Sequence, residues 1–192
     1  KLLPLEVEHA GDLKNTCTGV QNSSMWQYLF DKEYFENVGM EGLLKSFLSD
    51  KDQSINFAIY DNTTNLIIGV IRAVGLDNKN KSCEIRTWIG TKYQGKRYGV
   101  IAKYLLLKYL FSELSMHRVE FFADSKNHIS LASLESIGAK REGLLREHKK
   151  VFGESRVRSS VVFSILSDEW PAAKNKIERK VGSNQCSEGQ VS

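Results

Sequence analysis

Residues 98–114 constrain the fold more than any other segment. Their apolar side chains lie on nearly every side of a helix, and only Lys103 and Lys108 interrupt the dense run 100–111. A helix of that kind is buried, so the rest of the chain must pack around it. Just before it, residues 90–99 are polar and include Gly90, Gly95 and Gly99. Before those, residues 83–89 read as a strand. Strand, glycine-containing turn and buried helix therefore follow one another. At such a helix start unpaired backbone N–H groups converge, and the helix dipole adds positive potential. That geometry suits phosphate or pyrophosphate. Gly95 and Gly99 allow close backbone approach, and Lys96 and Arg97 add charge. The segment alone suits a plain strand-to-helix connection equally well. Neither GxxxxGK[ST] nor GxGxxG is present.

The flanking sequence supplies the layers. Residues 2–7 read as a short first strand and residues 9–50 as mostly helical, with Tyr34, Phe35, Val38, Leu43, Leu44, Phe47 and Leu48 near the helical period. Residues 56–60, 66–74 and 83–89 form an antiparallel meander, broken by the turn clusters 61–65 and 77–80. After the buried helix come a strand at 118–122, a loop at 124–127, a short helix at 130–137 ended by Gly138, and strands at 142–151 and 157–166 joined by a turn at 152–155. The order predicts an α+β fold around one mixed, mostly antiparallel sheet flanked by helices. Residues 1–180 are expected to form a single domain, and 181–192 a polar tail with almost nothing to bury.

Length and composition agree. The chain of 192 residues is 41% hydrophobic and 26% charged, ordinary values for a globular domain that needs no disulfide or metal to hold a core. No apolar run approaches the roughly 18–20 residues of a membrane span, and no basic-then-apolar leader is visible. Cys17, Cys83 and Cys186 are odd in number and lack CxxC spacing, which argues against a disulfide framework and a zinc site and for reduced thiols in the cytoplasm. Outside a secretory context the sequons at Asn22 and Asn62 read as chance matches. The net charge of +4 is mild. The basic residues Lys149, Lys150, Arg156 and Arg158 suit a solvated hairpin or an anionic cofactor better than nucleic acid.

Residues 88–99 followed by Lys103-Tyr104-Leu105-Leu106-Leu107, then Asn127-His128-Ile129-Ser130, then Ile137-Gly138-Ala139-Lys140-Arg141-Glu142-Gly143-Leu144-Leu145-Arg146, and finally Ser164-Ile165-Leu166-Ser167-Asp168-Glu169-Trp170 together resemble the GNAT N-acetyltransferases. The match is closest to the RimJ/RimL-like branch. The likeness is strong over 82–170 and weak before that.

This resemblance implies a GNAT-like fold, acetyl-CoA as cosubstrate, and direct attack by an amine on the thioester without a covalent enzyme intermediate. It makes Gln94, Gly95, Lys96, Arg97, Tyr98 and Gly99 a cofactor-binding loop, with backbone groups from about Gly95 to Gly99 on the pyrophosphate; the family loop reads Q/R-x-x-G-x-G/A, Gln94 and Gly99 fit its ends, and Arg97 replaces the central glycine. A left-handed backbone at Arg97 costs of order 1 kcal/mol; a negative φ would leave the guanidinium to reach a phosphate. The fourth strand is expected to splay from the fifth, with Ile89 as a backbone contact near the thioester. Asn127 is the counterpart of a cofactor-binding asparagine and is equally a helix cap. Ser130 is the candidate acid for the leaving thiolate, because Leu134 occupies the position where other members carry a tyrosine. For the base, Glu84 ranks first and Glu147 second, against the ordinary reading of each as a surface carboxylate. Lys149 occupies the position where RimL-type enzymes carry a glutamate. In a regular strand His148 faces away from Glu147.

The acceptor is expected to be a primary amine on a protein N-terminus, a peptide or a small molecule. Trp26, Tyr28, Phe30, Tyr34 and Phe35 suit an acceptor cleft and core packing alike. Two alternatives differ in class: a non-catalytic acyl-CoA-binding module, motivated by Arg97 and Lys149, and a basic RNA or ribosome interaction module, motivated by the hairpin charges. The exposed sheet edges of this fold also offer pairing to a second copy.

Overall fold

The structure is a computed structural model and describes residues 1–26, 28, 32–50, 52–151 and 156–182. A seven-stranded sheet runs in the order β1-β2-β3-β4-β5-β7-β6. Its strands are β1 (Leu2–Pro4), β2 (Ser54–Asp61), β3 (Leu66–Asp77), β4 (Ser82–Ile89), β5 (Arg118–Asp124), β6 (Lys140–Lys150) and β7 (Val157–Leu166). Every neighbouring pair is antiparallel except β4–β5. The reason is connectivity: tight turns join β2 to β3 and β3 to β4, whereas the buried helix carries the chain from β4 to β5 and forces a parallel crossover. At the first turn Asp61 accepts the amides of Thr63 and Thr64, and at the second Asp77 accepts those of Lys79 and Asn80.

Helices cover both faces. One carries α1 (Ala10–Cys17), α2 (Ser23–Trp26) and α3 (Lys32–Ser49), the last kinked at Gly39, where φ is 71°. Leu13, Leu43, Leu44 and Phe47 meet Ala58, Ile67, Val70 and Trp88 there. Trp26 stacks on Phe35 at 4.5 Å and leans on Trp88 at 5.7 Å. Trp26 and Phe35 are therefore core residues. Phe30 lies outside the described residues, and nothing is described of the Tyr34 side chain.

The other face holds α4 (Tyr98–Ser112), α5 (His128–Ser136) and α6 (Trp170–Val181). Leu106, Leu107 and Leu110 of α4 are fully buried against Ile71, Ile85, Val119 and Phe121. That is the burial its all-round apolar sequence requires. A sixth helix, α6, follows β7 where no element is expected from the sequence. Its Trp170, Ala173, Ile177 and Val181 pack inward at helical spacing. Trp170 stacks on Phe111 at 5.4 Å, and Tyr104 donates to Glu178 at 2.6 Å. The expected turn at 152–155 and most of the expected tail lie outside the described residues.

Candidate functional site

The site grows from a gap in the sheet. β4 and β5 pair only at Ser82↔Arg118, Cys83↔Val119 and Glu84↔Glu120. Beyond Glu84 the two strands run on unpaired to Ile89 and Asp124. The Gly90 amide donates to Ile68 O on β3. By the alternation of an antiparallel ladder, Thr87 and Ile89 then turn their backbone groups into the gap. The expected splay is therefore present. Gln94 closes one side: its Nε2 donates to Ile89 O at 3.0 Å. The Ile89 carbonyl is thus taken by the protein's own loop, and its N–H is left facing the opening.

The loop after β4 is held from below. Buried Asn22 accepts the Thr91 amide at 2.7 Å. At Gly90 an added Cβ would lie 2.2 Å from Thr16 O, so only glycine lets α1 press this close. After a 3-10 turn at Thr91–Tyr93 the chain reaches Gly95 at φ 75° and Arg97 at φ 68°. Position 97 is therefore left-handed, and arginine there costs of order 1 kcal/mol relative to the family glycine. With this backbone, the amides of residues 95–99 donate to no group among the described residues. They sit at the positive end of α4, beside the gap.

Two side chains border this start of α4. Burial, and then the neighbouring Asp61, raise the Tyr98 phenol above its ordinary range. Lys103, one turn in, points its Nζ back at Gly99 O at 3.4 Å. Burial pushes its ammonium down to about 8. In the sequence Lys103 stands out only as a break in an apolar run, and its spacing of four from Gly99 is the one signal of this contact.

The far wall is the loop from β5 into α5. Asp124 is buried and accepts the Lys126 amide at 2.9 Å and Arg156 Nη1 at 2.8 Å. Asn127 caps α5 by accepting the Ser130 amide at 3.0 Å. Ser130 is half-buried in the first turn of α5, and Leu134 is buried in the core.

On the α3 side of the sheet, the half around β4, β5 and β7 is polar. Arg86 grips Glu84 with two bonds, at 2.9 and 2.8 Å. Arg118 donates to Glu120 and to Glu142, and the Arg118 bond, with a second from Ser164 Oγ, holds the Glu142 carboxyl down to about 2. Buried Arg158 donates to Ser160 Oγ and to Tyr28 O, which ties the segment before α3 to β7. Arg156 and Arg158 are thus engaged within the fold rather than forming an open basic hairpin. Arg72, Glu84, Arg86, Glu120, Phe122 and Asp50 help line a cavity of about 510 Å³ here, within the range of ligand clefts.

The two candidate base residues fare differently. Glu84 lines that cavity, with both oxygens on Arg86. Glu147 is exposed at φ 48°, inside a bulge that interrupts β6 between Leu145 and Lys149. The strand is thus irregular where the alternation argument needed it regular. His148 packs on Phe122 at 5.7 Å, on the polar side of the sheet.

The acetyltransferase (GNAT) domain profile matches residues 1–140. The chain belongs to the GNAT acetyltransferase family. It is 34% identical over 116 residues to a Bacillus subtilis protein named as a ribosomal N-acetyltransferase, YdaF, covering 60% of this chain and 61% of that one. It is 24% identical over 156 residues to the spermidine N(1)-acetyltransferase of Escherichia coli K12, covering 81% of each. The crystal structure of a GCN5-related N-acetyltransferase from Brucella melitensis superposes with a TM-score of 0.81 at 25% identity, over 94% of this chain and 81% of that one. The profile ends at residue 140, so β7 and all of β6 but its first residue lie beyond the matched part of this GNAT protein. Among the described residues no cluster of histidine, cysteine and carboxylate side chains could hold a metal, and no helix is long and apolar enough to cross a membrane.

Proposed function

We propose that this chain uses acetyl-CoA to acetylate a primary amine, on a protein N-terminus, a peptide or a small molecule, by direct attack. The observation that carries the reading is the run of amides at 95–99, which have no acceptor among the described residues, beside the ends of β4 and β5 that do not pair with each other. Those amides, with Lys96 and Lys103, fit a pyrophosphate, and the exposed Ile89 N–H fits an amide of the pantetheine arm. Acetyl-CoA supplies the activated acyl group. Ser130 stands at the opening of α5 to protonate the departing sulfur, with Asn127 fixing that turn. Buried free thiols at Cys17 and Cys83 support a reducing cytoplasmic setting. The edge strand β6 exposes Leu144 and Leu145 and is where a second copy would pair.

The charge pattern favours a single amine over a polyamine. A polyamine needs carboxylates for its second ammonium, and four on this face, Glu84, Glu120, Glu142 and Asp124, each already hold an arginine. The test is thiol release from acetyl-CoA with a serine-first hexapeptide, benzylamine and spermine. Release with the peptide or benzylamine exceeding that with spermine is expected. Acetyl-CoA binding without amine-dependent release would identify a non-catalytic acyl-CoA module instead.

Lys103 adds a proton signature. Its folded pKa of about 8 lies below the unfolded value of 10.5, with burial alone as the cause. Between those values the unfolded chain holds more protons, so stability rises with pH across that window. A bound phosphate reverses the shift. Calorimetry at pH 8.5 in two buffers of different ionisation enthalpy should show proton uptake on acetyl-CoA binding. The uptake should vanish at pH 6.5 and in Lys103→Gln.

A further inference from the structure

The amine must lose a proton as it attacks, and neither candidate carboxylate is well placed to take it. Glu84 has both oxygens on Arg86, and Glu147 is turned out at φ 48° with its amide on Ser159 Oγ. The bulge that exposes Glu147 has a second result. β6 pairs Leu145↔Ser160 and then Lys149↔Arg158, so residues 146–148 stand opposite Ser159 alone. The extra length brings the His148 ring against Phe122, at 5.7 Å between centroids and 42° between planes. Phe122 lies two residues past the last β4–β5 pair, on the wall of the gap, and lines the same cavity as Glu84. The imidazole thus packs on a residue that lines the polar cavity, and with residues 144–147 it lines a second cavity along β6.

Its hydrogen bonding is incomplete. His148 Nδ1 is buried and has no partner among the described residues. A buried ring nitrogen without a partner is unusual, and an N–H of a bound acceptor would satisfy it. The charged groups around the ring are Lys149 on its own strand, Arg158 on β7 and Glu84 on β4; Phe122 of β5 brings no charge. Burial first, then the two cations, hold the ring below the ordinary imidazole range against the opposing pull of Glu84, so it is neutral at pH 7.

We infer that His148 is the general base of this site. The inference rests on the acetyltransferase reading. As the N–C bond to the acetyl carbonyl forms, the nitrogen's proton passes to the neutral imidazole. The C–S bond breaks, and the sulfur takes a proton from Ser130 or water. The imidazolium then returns its proton to solvent. Both Glu84 oxygens are taken by Arg86, whereas His148 Nδ1 has no partner among the described residues and can accept.

The test measures kcat and KM against pH for the wild type and for His148→Gln and His148→Phe, with the serine-first hexapeptide, benzylamine and spermine as acceptors. A base of this kind contributes roughly 10²–10⁴-fold to rate. Both variants should lose at least about 100-fold in kcat, keep the wild-type affinity for acetyl-CoA, and lose the acidic limb of the profile. His148→Phe keeps a ring on Phe122, and His148→Gly, rescued by added imidazole in proportion to its free base, separates proton transfer from packing. Variants within threefold of wild type with the same acidic limb overturn the inference alone. A wild type that binds acetyl-CoA and acetylates none of the amines overturns it together with the enzymatic reading.

Discussion

Gly99→Asp will abolish acetyl-CoA binding while leaving the fold intact or slightly firmer. Gly99 is the second residue of α4, and its φ is not positive. A Cβ there meets Ile89 Cδ1 at 3.4 Å and Lys103 Nζ at 3.7 Å, which are ordinary contacts. A carboxylate in the first turn stabilises a helix by about 0.3–1 kcal/mol through the dipole. The same carboxylate would occupy the amides of 95–99 and pair with Lys103, the groups assigned to pyrophosphate. Affinity should fall at least ~100-fold, or about 2.7 kcal/mol. Gly99→Ala should stay within a few fold. The urea midpoint should be equal or higher in the aspartate variant, which separates loss of binding from loss of structure. An aspartate variant that binds as well as wild type would remove the α4 start from the cofactor site.

The largest loss of stability is expected from Asp124→Ala. Asp124 is 1% exposed and bridges Lys126 N and Arg156. It also opposes the burial that lowers Arg158 to about 10. Arg158 is 4% exposed. Without Asp124 the Arg156 side chain loses this ion pair, and buried Arg158 loses one of the two carboxylates that offset its burial. Breaking a buried pair from one side costs about 3–5 kcal/mol. Equilibrium urea unfolding checks this. Asp124→Asn keeps an acceptor for Lys126 N and should recover part of the loss. A loss under about 1 kcal/mol would mean that the β5 end is not held by this pair.

What could be read from the chain itself depended on whether the signal was local. The strand–glycine–helix run at 88–99 placed the loop, because turn residues and the wholly apolar α4 are both local patterns. Asn127 was legible as a cap because its partner is three residues away. The bulge in β6 was not legible. It is defined by how many β7 residues stand opposite, and nothing between Arg146 and Lys149 announces it. Simple alternation therefore placed Glu147 with Lys149 and turned His148 away, whereas the bulge carries His148 onto Phe122. The backbone at Arg97 was also open, since arginine allows either sign of φ at a cost; the left-handed form follows from the path between Gly95 and α4. The residues of α6 did carry a readable pattern, with Trp170, Ala173, Ile177 and Val181 at helical spacing. The pairs Arg118–Glu142 and Arg156–Asp124 link β5 to β6 and to the segment that opens β7, and such partners are known only once the strand order is known.

The central claim is that the amides of 95–99 and the gap beside them hold acyl-CoA despite Arg97. Calorimetric titration of the folded protein with acetyl-CoA, with AMP and acetate as controls, tests it most directly. The account predicts one site of micromolar affinity, with AMP and acetate each binding far more weakly. Absence of binding by a protein shown to be folded would contradict it, and would mean that Arg97 closes the loop to the cofactor.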